Sequence, residues 1–176
     1  MKITLDHNCL INLERGCDIA ERLRRILAND SHECFVVNVG ASEMLRFGVT
    51  PSNYGKFEEF LSSIGLEKLP RLDPLGIYGL TFFDHCLFAG ADDAKLLGDI
   101  REVLFPSQAA DTPNEYKARN ETCDVLSMWC HISNKHDVFL TSDGNFRKPT
   151  KLPRLLGLGA ARICTPSELA SDCEAI

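Results

Sequence analysis

The chain has 176 residues, of which 44% are apolar and 25% charged, a balance expected of one globular domain with a substantial core. Its formal net charge of −6 argues against unaided tight binding to bulk nucleic acid, though not against a nuclease whose metal pocket is itself acidic. No apolar run approaches the roughly 18 residues of a membrane span, and the apolar segment at the N-terminus is too short for a signal peptide, so a cytoplasmic protein with no membrane contact is expected.

Lys2-Ile3-Thr4-Leu5 reads as a first strand, closed by Asp6 and followed at once by Asn8 and a helical pattern from Leu10 to Leu27 with a break at Gly16. Phe35–Val39 reads as the second strand, and a helix is expected from Ser42, a suitable cap, with Glu43 just inside it. Thr50-Pro51-Ser52 opens a further helix carrying Tyr54, Phe57, Phe60, Leu61 and Ile64 at helical spacing. From Leu69 to Pro106 prolines and glycines interrupt the pattern. Leu80, Phe82, Phe83, Leu87 and Phe88 suggest a strand or buried loop there, ahead of a helix over Asp92–Val103.

Between Tyr116 and Asn134 the pattern is clearer. Ala118, Thr122, Val125, Leu126, Trp129 and Ile132 share one face, while Lys117, Glu121, Asp124, Met128 and His131 form a second stripe. Glu121 is placed for an ion pair with Lys117 or, one turn before Asp124, as a fifth acid of a site with Asp6, Glu43, Asp124 and Asp143. Val138–Thr141 is the next strand, and Asp143 comes just past it. A loop rich in proline and basic residues follows, then a last strand over Ala161–Cys164, and Thr165-Pro166-Ser167-Glu168 starts a short helix. Strands alternating with helices point to an α/β fold around a mostly parallel sheet.

Asp6, Glu43 and Asp143 thus each lie just beyond a strand, where open α/β sheets bind ligands. Carboxylates gathered there repel one another and are costly to desolvate unless a cation offsets them, which suggests a divalent-metal site. The eight cysteines contain no Cys-x-x-Cys pair, so zinc-ribbon and thioredoxin-like chemistry has little support, and most are expected to be small core residues. Cys9 and Arg15 match a phosphatase-like Cys-x5-Arg spacing, but the bulky apolar residues between them offer no backbone cradle for phosphate. An aspartate-based phosphatase is also disfavoured, since Asp6 is followed by His7 and Asn8 rather than by a second acid.

With Asp124 on the long helix, the acids run in the order Asp6, Glu43, Asp124, Asp143. The segments around them are Leu5-Asp6-His7-Asn8, Ser42-Glu43-Met44-Leu45, Cys123-Asp124-Val125-Leu126 and Thr141-Ser142-Asp143-Gly144-Asn145-Phe146. This set resembles the PIN-domain family of nucleases. The resemblance implies a three-layer α/β/α sandwich over 1–176, in which 69–106 matches nothing in the family pattern and is the candidate insertion. It further implies Mg²⁺- or Mn²⁺-dependent endonucleolytic cleavage of RNA, leaving a 3′-hydroxyl and a 5′-phosphate. In that reading Asp6, Asp124 and Asp143 hold metal, and Glu43 binds a second ion or orients the attacking water. Asn8 and Asn145 support the ligand shell, Thr141 and Ser142 fix Asp143 or touch phosphate, and Arg147 and Lys148 contact the RNA backbone. The partners that go with it are RNA, an antitoxin or other protein, and a second copy of the chain. The rival reading is a catalytically idle PIN-like module that binds RNA or a protein.

Overall fold

The computed structural model describes residues 1–44, 49, 53–106 and 115–174. Five strands, β1 (Lys2–Leu5), β2 (Glu33–Val37), β3 (Arg71–Leu72), β4 (Val138–Leu140) and β5 (Arg162–Cys164), form one sheet in the order β3-β2-β1-β4-β5. All four pairings are parallel. Leu5 is in register with Val36 and Leu140, and Leu140 with Cys164, so the strands' carboxyl ends come out along one edge.

Helices cover both faces, because parallel strands need crossover connections and bury both sides. Period-two alternation divides the strands between two cores. Ile3, Leu5, Val36 and Leu140 pack on one face against α1 (His7–Arg15), α2 (Asp18–Leu27), α4 (Gly55–Ser63) and α8 (Pro166–Glu174). Phe35, Val37, Phe139 and Ile163 pack on the other against α5 (Ala91–Leu104), α6 (Glu115–Ser133) and α7 (Leu152–Gly157). The fold is therefore a three-layer α/β/α sandwich, as expected. No described helix is long and apolar enough to cross a membrane.

The helix break at Gly16 is a C-cap in the left-handed region (φ 65°), and Thr165 with Glu168 forms the capping box that starts α8. β2 lies two residues earlier than expected, because the chain turns towards α3 (Gly40–Glu43) at Asn38, whose N–H still donates to Leu72 O (2.9 Å). Asn38 is buried and donates to Asp73, and α3 already begins at Gly40. The opening expected at Thr50-Pro51-Ser52 lies outside the described residues, and α4 starts at Gly55.

Within 69–106, Pro70 and Pro74 bracket a two-residue edge strand, consistent with proline's missing N–H. The apolar run after it is a loop, not a strand: Leu80 and Phe82 enter the core, while Tyr78, Phe83 and Phe88 are exposed. α7 corrects the expectation of a loop: Pro153 sits in its first turn, and only Leu155 is anchored in the core. Both stripes of α6 are buried in its second half, where Met128 and His131 are inaccessible, because this part of the helix crosses the middle of the sheet.

Candidate functional site

Asp6 leaves β1 with its own N–H donating to Leu140 O (3.0 Å), which pins it beside the end of β4. Its backbone is extended, and Oδ1 accepts from the His7 N–H at 2.8 Å, so Asp6 is the N-cap of α1. Oδ2 accepts from Asn8 Nδ2 (2.6 Å) and from the Thr141 hydroxyl (2.5 Å). The same hydroxyl oxygen accepts from Asp143 N–H (2.9 Å) and from Asn8 Nδ2 (3.1 Å). One buried threonine therefore ties the first and last acids together. Asn8 Oδ1 completes the link by accepting from the Ser142 N–H and hydroxyl, each at 3.0 Å.

Asp143 is held in an Asx turn, its Oδ1 accepting from Asn145 N–H at 2.8 Å. Phe146 anchors that turn, fully buried with its ring 5.0 Å from Phe139. The Thr-x-Asp-x-x-Phe segment thus combines a linking hydroxyl, a turn-forming acid and a core anchor.

Glu43 reaches the same place from the end of α3, and Asp124 from the middle of α6. All four acids line one cavity of about 480 Å³, together with His7, Asn8, Ile11, Asn12, Arg15, Asn120 and Ser142. The acids also share an electrostatic field. Burial, and then the charge of Asp143, push Asp6 up to about 6 against its hydrogen bonds. Burial, and then Asp6 and Asp143, push Asp124 up to about 8. Glu43 is raised well above the carboxylate range by burial and by the other three acids. His7 is lowered to about 4 by burial.

Among the described residues no three His, Cys, Asp or Glu side chains form a ready-made cage for an ion. A small divalent cation does not need one: Mg²⁺ keeps several waters and binds through one or two carboxylates plus substrate phosphate. The donor set suits such an ion. It offers carboxylate and amide oxygens and no thiolate, and Asn120 Oδ1 is buried at the cavity without a hydrogen-bond partner among the described residues.

The cavity brings together Asp6, Asn8, Glu43, Asp124 and Asp143, with Thr141 buried behind them. Asn145 supports Asp143 through its backbone, and its side-chain oxygen accepts from Lys151 Nζ at 2.6 Å. Arg147 and Lys148 do not line the cavity. Arg147 pairs with Glu168 and faces a separate cleft beside β5, with Arg162, Ser167 and Asp172. Lys148 is exposed, and its carbonyl accepts the N–H groups of Lys151 and Leu152 where α7 begins. Glu121 makes its ion pair with Lys117 at 3.9 Å.

Sequence reasoning missed Asn12, Arg15 and Asn120. The signal was helical spacing: Asn8, Asn12 and Arg15 follow one face of α1, and Asn120 lies one turn before Asp124. Lys151 was legible only as one of the basic residues after Asp143. It is tied to Asn145 and Leu104 and feels the charges of Asp143, Asp124 and Glu121.

No family model matches the chain, and no curated protein matches it. Among solved structures it is similar to VapBC2 from Rickettsia felis, whose crystal structure was determined with a DNA fragment from its promoter. The identity is 16% and the TM-score 0.49, over 94% of this chain and 98% of that one.

Proposed function

We propose that this protein is a metal-dependent endoribonuclease of the PIN-like type. The observation that carries the reading is the convergence of Asp6, Glu43, Asp124 and Asp143, from four distant parts of the sequence, on one cavity at the carboxyl edge of the sheet. Asp6, Glu43 and Asp124, each raised by burial and by neighbouring carboxylates, form with Asp143 a site short of positive charge. A bound Mg²⁺ or Mn²⁺ would supply that charge, lower the pKa of a water and offset the scissile phosphate.

The remaining work falls to the chain's own groups. Asp6, Asp124 and Asp143 would hold the ion, with Asp6 fixed by Thr141 and Asn8, and Asp143 by its turn. Glu43, raised well above the usual carboxylate range by burial and then by the other three acids, is suited to take a proton from the attacking water and orient it. Arg15, on the cavity wall, takes the phosphate-contact role first expected of Arg147.

The test is incubation of labelled single-stranded RNA with the purified protein and Mn²⁺, with and without EDTA, beside Asp6→Asn and Asp143→Asn. Cleavage abolished by chelation and by each substitution is the expected result. Cleavage indifferent to all three removes the metal mechanism. Bound Mn²⁺ with no cleavage at all points to the idle module.

A further inference from the structure

Among the described residues His7 is the only ring that lines the cavity, and one side of it is sealed. Its Nδ1 is buried and has no hydrogen-bond partner among the described residues. What it faces is Gly40: a Cβ built on that glycine would stand 2.9 Å from Nδ1 and 3.5 Å from the Phe57 ring. In glycine that direction is occupied by a Cα–H bond, so Nδ1 faces a C–H group. A bare ring nitrogen can accept such a contact weakly, whereas an N–H there would meet another hydrogen and remain an unsatisfied buried donor. The proton of the neutral ring therefore belongs on Nε2. With Nδ1 turned into the wall, the ring lines the cavity through its Nε2 edge.

We infer that His7 is a substrate-contact residue: with Nδ1 closed off against Gly40, its Nε2–H donates to a phosphate oxygen of RNA in the acid cavity. The inference rests on the nuclease reading for its ligand and on the Gly40 contact for its chemistry. Carboxylates around a bound metal offer a phosphodiester anion few hydrogen-bond donors, and a ring N–H beside Arg15 would add one. The His7 backbone is already fixed, because its N–H donates to Asp6 Oδ1 at 2.8 Å.

Two measurements test this on the full chain. Long-range proton–nitrogen NMR of protein labelled at histidine nitrogen, with the His7 signals identified by their loss in His7→Gln, reads the tautomer directly. The Nε2–H form is expected throughout the neutral range, and an Nδ1–H form overturns the inference. Fluorescence anisotropy with labelled single-stranded RNA, with Ca²⁺ in place of Mn²⁺ to hold turnover down, reads the contact. His7→Ala should weaken binding about tenfold or more, and His7→Gln, which keeps an uncharged donor, should recover most of that loss. A similar thermal midpoint in both variants and the parent separates lost contact from lost fold.

RNA binding unchanged in His7→Ala, or absent in the parent protein, overturns the inference. Metal-dependent cleavage that persists undiminished in His7→Ala sinks it while leaving the nuclease reading intact. Binding that depends on His7 in a protein that never cleaves does the reverse.

Discussion

Thr141 donates its hydroxyl proton to Asp6 Oδ2 across 2.5 Å, joining the end of β4 to the end of β1 through a fully buried contact. The same oxygen accepts from Asp143 N–H and Asn8 Nδ2, so every hydrogen-bonding position of the hydroxyl is used. Replacing it with the isosteric Val leaves the part-buried Asp143 N–H without its acceptor and removes a bond that holds the Asp6 proton affinity down. Thr141→Val is expected to cost about 1–3 kcal/mol in urea denaturation and to weaken Mn²⁺ binding, while Thr141→Ser keeps most of both. Equal stability of the Val and Ser variants would refute the linking role.

The pH dependence of the metal-free protein has a definite sign above neutrality. Asp124 has a folded pKa of about 8 against an ordinary 3.8, and Glu43 shifts the same way. Between those values the native protein holds protons that the unfolded chain has released, so stability falls as pH rises. Below about 6.5 the buried, neutral His7 and His131, each lowered to about 4, act oppositely and offset the trend. In EDTA the thermal midpoint should therefore drop between pH 6.5 and 8, and Asp124→Asn should flatten that drop. Added Mn²⁺ should raise the midpoint more at pH 8 than at pH 6.5, because protons compete with the ion for the same oxygens. A midpoint that climbs over this window in EDTA contradicts the shared field of the acids.

Arg147 gives a prediction of small effect. Its guanidinium is spent on Glu168, at the start of α8, away from the acid cavity. Arg147→Ala should change stability by no more than about 1 kcal/mol, as expected of a partly exposed ion pair, and leave RNA affinity close to that of the parent. Arg15→Ala should weaken RNA binding instead, with a shallower salt dependence, since one phosphate contact is lost. Titration of labelled RNA at two salt concentrations distinguishes them. A larger loss in Arg147→Ala than in Arg15→Ala reverses the assignment.

The contrast between those two arginines shows what the sequence made legible. Asp6, Glu43 and Asp143 could be found because each follows an apolar run, and Asp124 because it falls on the long helix as the fourth acid of the set that resembles the family. Arg15 and Arg147 could not be ranked, since their placement depends on tertiary neighbours. The helix α1 carries Arg15 along the cavity wall, while a capping glutamate 21 residues downstream holds Arg147. α7 was illegible because six residues with one buried leucine show no period. β3 was missed because two residues between prolines show no alternation. The His7–Gly40 contact had no local signal either, being a close approach between α1 and the start of α3.

Mn²⁺ binding followed by isothermal titration calorimetry, on the parent protein beside Asp6→Asn and Asp143→Asn, tests the acid cavity most directly. The parent should bind Mn²⁺, and each substitution, though it relieves repulsion in the metal-free protein, should weaken that binding at least about tenfold. Undiminished Mn²⁺ affinity in both variants, or none in the parent, would contradict a metal centre at the carboxyl edge of this sheet.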